Sequence, residues 1–116
     1  MIETRPDGHG TVRATFRLQY GASLHQIHVV GEFNGWSTTA TPMRRDGHGY
    51  VAEIVIPTGR MYRFRYLIDG DRWQNDWAAD GYTANEYGGD DSVLDLTGPR
   101  ASRPVTRLPV LGIVAD

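Results

Sequence analysis

The chain contains no cysteine and no lysine, and no apolar run approaches the ~20 residues needed to cross a bilayer. The first absence excludes disulfide staples and thiolate chemistry, and it fits a reducing compartment. The second makes all 12 basic residues arginine, a side chain suited to planar hydrogen bonding. No helical period of useful length occurs. Residues 1–10 are polar and lack the apolar segment of a signal peptide, so a soluble cytoplasmic domain is expected. A formal net charge of -2 offers no general attraction to nucleic acid or to a membrane surface. At 116 residues there is room for one domain, and none for the roughly 250-residue barrel of a glycosidase.

What is present is glycine, 14 of them, and short alternating segments rich in strand formers. The clearest lies within YRFRYLIDGDRW, residues 62–73. There Tyr62, Phe64, Tyr66 and Ile68 point one way, while Arg63, Arg65, Leu67 and Asp69 point the other. Asp69-Gly70-Asp71 reads as a tight hairpin turn, with Trp73 on the returning arm. Upstream, residues 11–20 alternate Val12, Ala14, Phe16, Leu18 and Tyr20 with polar partners. Residues 26–33 form a second strand built on Ile27, Val29, Val30 and Phe33, closed by the turn Asn34-Gly35, from which Trp36 emerges.

A third strand spans 50–56 and a last one 92–96, separated by a long polar loop over 74–90 that carries Trp77, Tyr82 and Tyr87. Many short strands punctuated by turns predict an all-β, immunoglobulin-like sandwich over residues 11–97. Residues 1–10 read as a flexible lead-in. Residues 98–116, punctuated by Pro99, Pro104 and Pro109, read as a flexible tail.

Chemistry-bearing residues are sparse in pattern. His9, His25, His28 and His48 lack metal-ligand spacing. The acidic set Asp69, Asp71, Asp76, Asp80, Asp90 and Asp91 lacks the oxygen spacing and closing Glu of a calcium loop. No nucleophile elbow, phosphate loop or dinucleotide fingerprint occurs. The expectation is a protein that is not an enzyme and needs no metal or cofactor. Two tryptophans beside turns are unusual places for so much apolar surface. A flat indole can cover the apolar C–H face of a pyranose, so Trp36 and Trp73 are candidates for a sugar-stacking platform. Trp77 is read as a packing residue, and Arg44-Arg45 as a solvated loop.

The ordered set VVGEFNGW, TPMRRDGHGYVAEIVIPTGRMYRFRYLIDG, DRW and GGDDSVLDL resembles the early-set, immunoglobulin-like domain of isoamylases and glycogen-branching enzymes. That domain is also the glycogen-binding module of the AMP-activated protein kinase β-subunit, and is grouped as carbohydrate-binding module family 48. The resemblance covers residues 12–96. It implies non-catalytic binding of an α-1,4-glucan such as glycogen, starch or maltodextrin. Trp36 and Trp73 would form the platform and Arg65 would contact hydroxyls. Tyr87 would reach into the curve of the glucan, and Asp91 would take the place of a hydroxyl-binding Asn. Arg65 and Asp91 both depart from the family pattern, Arg for Lys and Asp for Asn, and an Arg65–Asp91 pair partly closing the site is one expected consequence. An alternative use of the same fold is a protein–protein or regulatory surface without sugar binding, with the tail as an arm.

Overall fold

The computed structural model describes residues 1–21, 24–47 and 49–98. The tail expected over 98–116 therefore falls, apart from Gly98, outside the described residues, as does His48. Nine strands form among them: β1 (Ile2–Pro6), β2 (Thr11–Leu18), β3 (Ile27–Gly31), β4 (Arg44–Asp46), β5 (Gly49–Pro57), β6 (Met61–Ile68), β7 (Arg72–Gln74), β8 (Gly81–Ala84) and β9 (Asp90–Asp95). A single 3-10 turn, Glu32–Asn34, follows β3. One antiparallel sheet runs β1-β2-β5-β4 and the other β3-β6-β9-β8, with β7 also paired to β6. Together they make an immunoglobulin-like β-sandwich. No helix among the described residues is long and apolar enough to cross a membrane.

The alternation in residues 62–68 decides which face of β6 enters the core. Tyr62, Phe64, Tyr66 and Ile68 are all buried, against Phe16 and Ile56 of the first sheet and Leu94 of β9. Phe64 is the hub, edge-on to Phe16 at 5.3 Å and to Tyr66 at 5.7 Å between ring centroids, a favoured aromatic geometry. Leu67, on the opposite face, is buried as well. It lies directly opposite Trp73 of β7, and side chains at directly paired positions cover one another.

Three strands depart from the sequence reading. Ile2–Pro6, expected as part of a loose lead-in, pairs along its whole length with β2. Arg44–Asp46, expected in a solvated loop, pairs with β5, and Gly81–Ala84 lies inside the expected long loop. All three sit at the edges of their sheets. Edge strands are held by backbone pairing and tolerate polar side chains, so their sequences carry little apolar alternation. Residues 41–43 carry the chain between the sheets. Val29 N–H donates to Thr41 O and Met43 N–H to Ile27 O on the β3 side, after which β4 joins the other sheet.

Gly31, at the end of β3, is needed for closeness. A β-carbon there would meet Phe64 Cβ at 2.6 Å and the Arg63 carbonyl at 2.7 Å. Because one of those atoms is backbone in the central strand, relief requires β3 to move away from β6. Gly31→Ala is expected to destabilise the fold by about 3 kcal/mol, at the upper end of overpacking costs. A urea-unfolding midpoint equal to that of the parent protein would refute this.

Candidate binding cleft

The outer face of the second sheet is where the chemistry collects. On β6 this face carries Arg63, Arg65 and Leu67; Val30 of β3 stands opposite Arg65, and Trp73 of β7 opposite Leu67. Turns at two ends of the sheet and the loop before β9 rise around this floor. The result is an open cleft of about 640 Å³ whose lining includes Trp36, Trp73, Arg63, Arg65, Tyr87 and Asp91, with Val30 beneath and Asn85 and Glu86 on the loop side.

Trp36 is placed by a tightly bonded turn. Asn34 accepts from Gly31 N–H at 3.1 Å, and its amide donates to Val29 O at 2.9 Å and to Thr41 Oγ1 at 3.0 Å. These bonds tie the end of β3 to residue 41. Glu32 adds a tie to β6, accepting from Arg63 N–H at 2.9 Å while pairing with Arg60 at 3.0 Å. Gly35 and Trp36 both lie in the left-handed region, at φ 68 and 59. For a bulky residue that conformation costs about 1–2 kcal/mol, and here it presents an indole that is 40% exposed.

Trp73 is placed by the other hairpin. Asp69 and Gly70 have φ 55 and 78, the positive pair a primed turn requires, and Asp71 N–H closes it on Ile68 O at 3.2 Å. The Asp69 carboxylate shares a 2.7 Å hydrogen bond with His25 Nδ1 and accepts from Gln26 N–H at 2.9 Å and Arg72 at 2.9 Å. These contacts, His25 foremost and the Gln26 N–H next, hold the Asp69 carboxyl below its ordinary value. Trp73 is 45% exposed, and the Arg65 guanidinium carbon lies 5.9 Å from its ring centre, within cation–π range. Arg65 Nε is buried with no hydrogen-bond partner among the described residues.

Tyr87, 87% exposed, stands at the tip of a turn organised by Asn85. Asn85 Oδ1 accepts from Tyr87 N–H at 2.9 Å and Gly89 N–H at 3.2 Å, and Asn85 N–H donates to Gly89 O at 2.8 Å. Asp91, at the start of β9, is only 6% exposed. Its Oδ1 accepts from Asn85 Nδ2 at 3.1 Å, and its Oδ2 lies 3.6 Å from Arg63 Nη1.

Trp36, Trp73, Arg65, Tyr87 and Asp91 are thus brought to one cleft. The expected Arg65–Asp91 pair does not form. The β6–β9 ladder ends at Phe64–Ser92, one position short of setting Arg65 against Asp91, and β7 takes over that edge from Tyr66. Arg65 lies toward Trp73, and Arg63 reaches Asp91 diagonally. Trp77, read as packing, is 75% exposed and outside the cleft. Its neighbour Asp76 turns inward instead, bonded to the Tyr66 hydroxyl, which directs residue 77 outward. Asn85 escaped the sequence reading. An Asn two residues before an exposed aromatic and four before a glycine is an Asx-turn signal that could have found it.

No family model matches the chain. Among curated proteins it is similar to 1,4-alpha-glucan branching enzyme GlgB. The Corynebacterium glutamicum enzyme is 36% identical over 66 residues, covering 54% of this chain and 9% of the enzyme. The Butyrivibrio fibrisolvens enzyme is 33% identical over 70 residues, 58% of this chain and 11% of the enzyme. That of Leifsonia xyli subsp. xyli is 31% identical over 67 residues, 55% and 9% respectively. The chain spans about a tenth of the length of these relatives.

Proposed function

We propose that this domain is a non-catalytic binding module for α-1,4-glucan, of the early-set, family 48 type, acting in the cytoplasm. One observation carries the reading: two half-exposed indoles, one of them on left-handed backbone, share a cleft with the side chains of Arg63 and Arg65. Indole faces suit the C–H faces of successive glucose rings, and guanidinium N–H groups lining the same cleft suit their hydroxyl oxygens. The partial likeness to enzymes named for 1,4-alpha-glucan adds support. A non-catalytic role is favoured by the state of the cleft's carboxylates. Of the three carboxylates lining the cleft, Glu32 is paired with Arg60 and Asp91 with Arg63, so Glu86 has no second unpaired carboxylate beside it for two-carboxylate glycoside chemistry.

Each platform burying about 100 Å² of apolar surface contributes roughly 2–3 kcal/mol before ordering costs. The expected affinity for a short glucan is therefore high micromolar to millimolar. Titration with β-cyclodextrin, followed by NMR, should move the indole N–H signals of Trp36 and Trp73 and the amides of residues 85–89. Saturating ligand that leaves those signals in place would remove the reading. Movement at Trp77 on adding a candidate protein, with the cleft silent to sugar, would favour the alternative of a protein-binding surface.

A further inference from the structure

We infer that the hydrogen bonds offered to the ligand from the β9 side of the cleft come from Arg63 and Asn85, and that Asp91 is the buried carboxylate that positions both. This rests on the glucan-binding reading and assigns which groups of that cleft touch the sugar.

The geometry of Asp91 drives the assignment. A carboxylate has only acceptor sites. Asp91 Oδ1 is engaged by Asn85 Nδ2 at 3.1 Å, and Oδ2 faces Arg63 Nη1 at 3.6 Å, an ion-pair distance longer than a hydrogen bond. With its side chain 8% exposed, Asp91 presents almost nothing to the cleft. Its two partners do the reverse. The Arg63 side chain is 43% exposed and lines the cleft, with guanidinium N–H groups left over from the ion pair. Asn85 Oδ1 is filled by the Tyr87 and Gly89 N–H groups, and that fixes the amide plane. Nδ2 then has one N–H for Asp91 and a second for the cleft.

Arg63, Asn85 and Arg65 make a wall of donors, which sugar hydroxyl oxygens can accept from. The same amide that meets Asp91 also holds the turn bearing Tyr87. Asp91 therefore orients a polar contact and an aromatic one together. Were Asp91 itself the contact, asparagine at that position would add a donor and tighten binding. As a positioning residue, its change to asparagine removes the charge that holds Arg63 and leaves one acceptor oxygen for two donors, so either Arg63 or Asn85 faces an N–H group instead of an oxygen.

The experiment measures maltoheptaose affinity by calorimetry or NMR for the full chain and for Asp91→Asn, Asn85→Ala, Arg63→Gln and the double variant Asp91→Asn/Asn85→Ala. Asp91→Asn is expected to weaken binding about 10-fold and Asn85→Ala about 5-fold, the loss of one charge-assisted and one neutral hydrogen bond. The double variant should be little weaker than Asp91→Asn alone, because both act through one linkage. Without ligand, Asp91→Asn should shift the Tyr87 backbone amide signal. Unchanged or tighter binding by Asp91→Asn overturns the assignment and leaves glucan binding standing. Should that variant misfold, unchanged affinity in Asn85→Ala, which alters an exposed turn, overturns it equally. A parent protein that binds no glucan removes the functional reading and this assignment together.

Discussion

Trp36→Ala/Trp73→Ala is expected to bind maltoheptaose at least about 100-fold more weakly than the parent while melting within a few degrees of it. Each indole is asked to supply at least the 1.4 kcal/mol that corresponds to a factor of ten, a conservative share of its burial against a pyranose. Stability should fall only modestly because both rings are half in solvent and outside the core that surrounds Phe64, the loss coming from the uncovering of Leu67 opposite Trp73. The substitution at position 36 leaves the left-handed turn in place, since Asn34 and the Trp36 N–H bond to Gly31 O at 2.8 Å hold it through the backbone. Parallel retention of the two proteins in a glycogen-containing native gel would sink the platform. A large loss of melting temperature would show instead that the indoles are structural.

The second large effect lies on the inner side of the same sheet. Asp76 is fully buried. Its Oδ2 accepts from the Tyr66 hydroxyl at 2.6 Å and from the Met1 amino group at 2.6 Å, its Oδ1 accepts from Ala78 N–H at 2.7 Å, and its own N–H donates to Ser92 Oγ at 2.9 Å. Asp76→Ala strands the buried Tyr66 hydroxyl without its acceptor, while the Met1 amino group, 32% exposed, keeps its bond to Arg17 O at 2.9 Å. The expected loss is about 2–4 kcal/mol, an unsatisfied buried hydroxyl plus the lost hydrogen bonds, against a total stability on the order of 5–15 kcal/mol for a domain.

Burial, and then the negative charge and hydrogen bond of Asp76, push the Tyr66 hydroxyl well above its ordinary value of 10.0. With the folded value above the unfolded one, Tyr66 contributes stability that is fully present below pH 10.0 and lost as pH rises beyond it, because the unfolded chain releases the proton first. Urea midpoints measured on both sides of pH 10.0 should fall steeply for the parent and less steeply for Asp76→Asn and Tyr66→Phe. Equal slopes in all three would show that this pair does not govern the alkaline limb.

Much of the fold was legible because burial writes a period into the chain. The alternation Tyr62, Phe64, Tyr66, Ile68 against Arg63 and Arg65 assigns the two faces of β6 without reference to any partner. Asn34-Gly35 and Asp69-Gly70 mark turns because few other residues adopt positive φ cheaply. Trp36 follows its turn directly and Trp73 comes three residues after Gly70, and both are partly exposed. The strands that escaped notice, β1, β4 and β8, are edge strands held by backbone bonds that any side chain permits.

The amino-acid sequence by itself determined the sandwich, its core-facing residues and the turns that carry two tryptophans. These are local properties, set by side-chain alternation and by backbone preference at single residues. Only the tertiary structure decided the pairings across the cleft: Arg63 and not Arg65 against Asp91, Asn85 as the anchor of the Tyr87 turn, Asp76 drawn inward and Trp77 sent out. Those choices depend on where one ladder stops and another begins, at Phe64–Ser92 and Tyr66–Gln74. A ladder's end is set by three strands meeting in space, and no window of neighbouring residues contains all three.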